Sequence, residues 1–133
     1  MSRDPRGISM VHPLLYVGFG GFIGAILRFL VSGWIQNGST GFPLGTMTVN
    51  FLGSLALSSI MYLSNDTPLL TPETKLLLTV GFLGAFTTMS TFSYETFTLL
   101  DNGKTTQFIT YFLGTNISCL FGVYLGKIVS TLL

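Results

Sequence analysis

Apolar residues run along this chain in four long blocks, separated by short polar turns. The blocks cover residues 14–35, 44–63, 72–100 and 105–132. Each has the roughly 20 residues or more that a helix needs to cross a hydrocarbon core about 30 Å thick. The pattern predicts an all-α membrane protein with four transmembrane helices. The turns carry the expected breakers: Gly38, Gly41 and Pro43 in the first, Asp66 and Pro68 in the second, Asn102-Gly103 in the third. Thr71-Pro72-Glu73 reads as a helix start, with a capping hydroxyl, a proline at the first position and an acid in the first turn. Pro13 suits a first helical position in the same way. Residues 1–12 read as a polar tail, so residues 1–133 form a single four-helix transmembrane domain.

The third block is the anomaly. Its roughly 29 residues would make one helix of about 43 Å at ~1.5 Å per residue, longer than the bilayer core is thick. Either it tilts strongly or its middle is not helical. Gly81 and Gly84 precede a run of hydroxyls, Thr87, Thr88, Ser90, Thr91 and Ser93. Glycine and threonine are poor helix formers, and Ser/Thr side chains compete for backbone partners. A break near 84–90 is predicted. Non-helical backbone at membrane depth survives only where it is buried in protein or lines a watery cavity. Freed carbonyls and amides at such a crossing point are suited to holding ions.

Composition agrees with the pattern. Only 8% of residues are charged and the mean hydropathy is +0.65, against about 25% charged in a soluble domain. A net charge of +1 supplies no basic face for nucleic acid. One cysteine, one histidine and five acids exclude a disulfide framework and offer no zinc or metal-ligand cluster of the usual spacing.

The polar and small residues inside the spans then matter. Gly20 and Gly24 form a GxxxG, with Gly21 and Ala25 beside it, a spacing that lets two helix backbones approach closely. Gly114, Ser118, Gly122 and Gly126 form a second small-residue stripe. Arg28 lies two turns inside the first span. It either snorkels to the interface or places a positive charge at the floor of an aqueous vestibule. Thr46 and Asn50, four apart, share one face of the second span. Asn50 is either helix–helix glue or a pore-facing donor. Tyr111, Thr115 and Cys119 make a row on the fourth span.

Four crossings put both termini on one side, with Arg3, Arg6, Lys75 and Lys127 against Lys104 on the other. That bias is weak, and such a chain is expected to insert both ways. The chain has no paired carboxylates, no nucleophile with a base and no phosphate-binding loop, so an enzyme is not expected. A cation conductor would want rings of acids or carbonyls. Hydroxyl and amide donors suit an anion instead, and phenyl ring edges carry partial positive charge. The alternative is a small dual-topology proton-coupled transporter, for which Glu95 is the one candidate carboxylate.

Three motifs carry a family resemblance: Gly-x-x-x-Arg at 24–28, Gly-Thr-x-x-x-Asn at 45–50, and Gly-Phe-x-Gly-x-x-Thr-Thr-x-Ser-Thr-Phe-Ser-x-Glu at 81–95. In this order and spacing the chain resembles the Fluc, or CrcB, fluoride channels over all four spans. The resemblance implies a fluoride-selective channel of the cell inner (plasma) membrane, passively exporting cytoplasmic fluoride. It implies an antiparallel, dual-topology homodimer in the lipid bilayer, with two pores and a structural sodium ion at the centre held by the backbone carbonyls of Gly84 and Thr87. It implies pore roles for Thr46, Asn50, Met89, Ser90, Thr91, Phe92, Tyr111 and Thr115. Arg28 falls near the vestibule and Glu95 close to the pore, in a gating or proton-linked role. Met89 stands where the family usually has a phenylalanine three residues before Phe92, and Cys119 stands where a hydroxyl would be expected.

Overall fold

The computed structural model describes residues 11–39, 41–66 and 68–133. The structure of residues 1–10, including the expected tail cations Arg3 and Arg6, lies outside the described residues. All regular structure among the described residues is helical: α1 (Val11–Asn37), α2 (Leu44–Asp66), α3 (Pro72–Leu76), a π-helical segment (Leu77–Leu83), α4 (Gly84–Phe86), α5 (Met89–Asp101) and α6 (Thr105–Leu132). Four stretches among the described residues are long and apolar enough to cross a membrane: His12–Asn37, Leu44–Asn65, Pro72–Asp101 and Thr105–Leu132. The third contains α3, the π-helical segment, α4 and α5. The start of the first helix shifts from the sequence expectation. Val11 and His12, assigned to the tail, already belong to α1, and Pro13 therefore sits inside the first turn rather than opening it. Proline is tolerated there because first-turn N–H groups have no intrahelical partner.

The turns and caps follow from local chemistry. Thr71 caps α3, its Oγ accepting from Thr74 N at 3.2 Å, with Pro72 next in line. After α5 the chain closes a Schellman turn. Gly103 N–H donates to Leu100 O and Lys104 N–H to Leu99 O, while Gly103 takes φ +72°. That left-handed conformation is open to glycine at little cost. Between α1 and α2, Gln36 ties the turn. Its Nε2 donates to Ser39 Oγ and Phe42 O, and its Oε1 accepts from Gly45 N. That last bond satisfies one of the orphan donors at the start of α2.

The small-residue stripes are packing faces within the chain. α2 and α6 make the most extensive pairing, and α1 against the π-helical segment is next. A Cβ on Gly126 would strike the Leu55 carbonyl, and one on Gly122 would come within 3.1 Å of Phe51 O. Ser58 Oγ adds a hydrogen bond across the same seam, to Val123 O at 2.6 Å. On the other side, a Cβ on Gly20 would strike Leu77 O and one on Gly24 would strike Phe82 O. In lipid, where apolar surfaces gain little from leaving the solvent, such close approach is a main source of helix association.

The π-helical segment was not expected. Its i→i−5 bond runs from Gly84 N–H to Thr79 O. The two α1 glycines seat against its first and sixth residues, so the widened turn lies where α1 presses closest. Such segments are rare and concentrate at functional sites.

Candidate functional site

The predicted break falls at Thr87 and Thr88, both in extended conformation (ψ 161° and 114°). Asn50 holds it open. Thr88 N–H donates to Asn50 Oδ1 at 2.8 Å, and Asn50 Nδ2 donates to Thr88 O at 3.1 Å. The side-chain amide pairs with one residue's backbone as a neighbouring strand would. A continuous helix would have sent Thr88 N–H to the Gly84 carbonyl. The chain restarts as α5 because Thr88 Oγ caps it, accepting from Thr91 N at 3.2 Å. Helical geometry would have given that N–H to the Thr87 carbonyl. The carbonyls of Gly84 and Thr87 therefore both lose their helical donors. Asn50 thus ties the second span to the third. One of its two Nδ2 hydrogens is left for another partner.

A cavity of about 320 Å³ opens beside the break. Asn50, Gly84, Thr87, Thr88, Met89, Phe92, Thr115 and Cys119 all lie on its wall. Thr115 is buried, and its Oγ has no hydrogen-bond partner among the described residues. Phe92 is buried too, its ring 5.3 Å from Tyr111 at 55° and 6.2 Å from Phe112 at 17°. Met89, three residues before Phe92, is 70% exposed. Thr91 is tied into the cap, accepting from Thr88 Oγ at 3.0 Å, while Ser90 is exposed.

Thr46, Tyr111 and Glu95 form a separate cluster. Thr46 Oγ donates to Glu95 Oε1 at 3.0 Å, and Tyr111 OH donates to Oε2 at 2.7 Å. Thr46 is buried and Tyr111 is wholly so. Phe42 packs edge-on against Tyr111 at 5.6 Å. Thr46 and Asn50 thus do share a face, and both reach the third span on opposite sides of Phe92. Glu95 also lies on the wall of a second cavity of about 310 Å³, with Gln36, Asn102 and Lys104 at the α5–α6 turn.

Arg28 is half-buried on α1, its Nε buried without a partner among the described residues, and it lies on neither cavity wall. The sequence reading missed Ser54, Thr79 and Asn116, which line the first cavity. Ser54 was within reach, since it follows Asn50 by four residues on the same helix face. Thr79 was not, because it joins the wall from inside the π-helical segment.

Residues 15–127 match the family model described as CrcB-like protein, Camphor Resistance (CrcB). The chain belongs to the CrcB family. It is 52% identical over 118 residues to fluoride-specific ion channel FluC 1 of Methanosarcina acetivorans, covering 89% of this chain and 90% of that protein. It is 48% identical over 120 residues to FluC 3 of Methanosarcina barkeri, covering 90% and 91%. It is 45% identical over 121 residues to FluC of Methanocaldococcus jannaschii, covering 91% and 96%.

Proposed function

We propose that this CrcB-family chain is a fluoride-specific ion channel, not an enzyme, and that it passes fluoride through the cavity beside the helix break. It is a multi-pass membrane protein of a plasma-membrane channel family. The observation that carries the reading is the unpartnered buried hydroxyl of Thr115, on a cavity wall shared with Asn50, Thr88 and Phe92. The names of the relatives supply the ion.

The chemistry fits a small, strongly hydrated anion. Fluoride leaves its water shell only where hydrogen-bond donors replace it. The spare Nδ2 hydrogen of Asn50 and the Thr115 hydroxyl are such donors, and Ser90 and Thr91 add hydroxyls at the start of α5. The edge of the Phe92 ring adds partial positive charge, whereas its face would repel an anion. Met89 lines the path without supplying a ring edge. Tyr111 and Thr46 belong to the path through the Glu95 carboxylate, which holds both hydroxyls in place. Arg28 draws anions toward the protein from α1.

The working unit is an antiparallel homodimer in the lipid bilayer. Gly84 is exposed beside a cavity that stands open on the single chain, and a second copy supplies the cover. The donor set also fits a central sodium ion. Two carbonyls per chain, Gly84 and Thr87, lack their helical donors, and two copies offer four. Carbonyl oxygens suit a hard cation. When bound, sodium would neutralise carbonyl dipoles where the two breaks meet. The residues do the rest: Asn50 keeps the break open and Thr88 restarts the helix.

The test is efflux from liposomes holding the purified protein, fluoride against chloride. Fast fluoride loss with chloride retained is the expected result. Comparable chloride loss would sink selectivity. Fluoride loss that vanishes in Glu95→Gln with a steep pH dependence would favour a proton-coupled transporter instead.

A further inference from the structure

The cavity beside the break has a use in the reading above, but the second cavity does not. It lies at the end of the bundle where the α1–α2 and α5–α6 turns meet. Gly41 and Pro43 of one turn and Asn102 and Lys104 of the other stand on its wall, together with Glu95 of α5. Turns between spanning helices stand at the membrane surface, so this end meets water. Two wall residues carry charge. Glu95 is half-buried, and its carboxylate holds the hydroxyls of Thr46 and Tyr111. Lys104 is exposed and is the one cation on the wall. Asp101, the other charge of that turn, is exposed and off the wall. Among the described residues the Lys104 ammonium forms no ion pair. The main chain fixes its place, since Lys104 N–H donates to Leu99 O and Lys104 O accepts from Phe108 N, both at 2.9 Å.

We infer that Lys104 steers fluoride into this cavity, which serves as the mouth of the anion path on the Glu95 side. The inference rests on the fluoride-channel reading, in which Thr46 and Tyr111 join the path through Glu95. Glu95 comes before the end of α5 at Asp101, about 9 Å deeper along the helix at ~1.5 Å per residue. A carboxylate there repels an arriving anion, the more so between low-dielectric walls. Lys104 offsets that field at the rim, before the ion meets the carboxylate. Steering acts through space and replaces no hydration water. It therefore sets how fast an anion enters and leaves the choice of fluoride over chloride alone, because the two carry the same charge. In an antiparallel pair each face of the membrane has one such mouth, so mixed orientation in liposomes does not hide the effect.

The test uses the full chain in liposomes loaded with dilute potassium fluoride, so that entry limits the flux. Potassium isethionate sets the ionic strength. At about 0.01 M, where charges are felt over about 30 Å, Lys104→Gln is expected to slow efflux by about twofold to fivefold. Lys104→Glu should slow it by about the square of that factor, and Lys104→Arg should keep the parent rate. At about 1 M, where the range is about 3 Å, the variants and the parent should run alike, with chloride excluded throughout. A Lys104→Gln rate equal to the parent's at low ionic strength would overturn the inference and leave the lysine as an interfacial anchor. An equal loss at both ionic strengths would overturn it in favour of a structural role, as would loss of flux in Lys104→Arg. Chloride passing through Lys104→Gln would overturn it too, since charge alone does not choose between the two anions. A parent protein that passes no fluoride sinks the channel reading itself, before any variant is compared.

Discussion

Two polar clusters sit within the membrane-spanning part of this chain, and they differ in how far their hydrogen bonds close. Around Glu95, each carboxylate oxygen receives a donor, from Thr46 and from Tyr111, and aromatic rings pack against Tyr111. Around Asn50 the closure is partial. Asn50 and Thr88 satisfy one another, but the Thr115 hydroxyl has no partner among the described residues and the carbonyls of Gly84 and Thr87 have lost their helical donors. Buried polar groups are almost always paired. A closed cluster therefore reads as a brace that fixes helices, and an open one as a place that waits for a ligand. The two are neighbours, joined through Phe92, which touches Tyr111 and lines the Asn50 cavity. The brace packs against a ring that lines the cavity.

The largest effect is expected where the clusters' common scaffold is cut. Asn50→Leu leaves Thr88 N–H and C=O unpaired at membrane depth. Each such group costs about 1–3 kcal/mol, so the loss is about 2–6 kcal/mol, read as a fall in thermal unfolding temperature in detergent. Fluoride efflux should fall with it. Asn50→Asp separates the two roles, because its carboxylate accepts from Thr88 N–H but cannot donate. A variant that stays folded yet conducts as fast as the parent would show that the Asn50 donor is not used by the ion.

The brace comes next. Tyr111→Phe and Thr46→Val each remove one donor from Glu95. A hydrogen bond to a charged group contributes about 1.5–3 kcal/mol, so each is expected to destabilise by that order. The double variant should lose less than the sum, because both bonds position one carboxylate. Additive losses would mean that Glu95 does not couple the two helices. Thr88→Val follows at about 1 kcal/mol, the usual worth of an N-cap hydroxyl. Its loss should loosen the start of α5, measured as faster amide exchange at Met89 and Ser90.

How much of this was legible in the sequence depends on the range of the contact. The four spans, the Thr71 cap and the Asn-Gly turn are local, and the pattern predicts them. The break was legible for the same reason, since Gly81, Gly84 and the hydroxyl run are poor helix formers in an overlong block. What holds it open was not. Asn50 and Thr88 are 38 positions apart, and Thr46 and Glu95 are 49 apart; only the fold brings them together. Asn50 stood between two readings because a lone amide in a membrane helix serves either. The π-helical segment left no trace, because nothing in Leu-Leu-Thr-Val-Gly-Phe-Leu distinguishes it from an ordinary apolar stretch of a membrane helix. It lies where Gly20 and Gly24 of α1 approach the third span closely, a contact between distant parts of the chain. The small-residue stripes were legible as packing faces, but which helix each one met was not.

The smallest stability effect gives the sharpest test of the contrast. Thr115→Val replaces the unpartnered hydroxyl with a methyl of similar size. Removing a paired hydroxyl, as in Thr46→Val, must destabilise. Removing an unpaired buried one relieves a desolvation cost and should be neutral, or stabilising by up to about 1 kcal/mol. The flux should move the other way. In the proposed pore Thr115 is a donor without a partner among the described residues, so its loss is expected to leave a passing anion with one contact fewer. A protein that melts no lower yet passes fluoride more slowly would separate the open cluster from the closed one. If Thr115→Val melts lower by as much as Thr46→Val does, the hydroxyl has a structural partner after all, and the two clusters are of one kind.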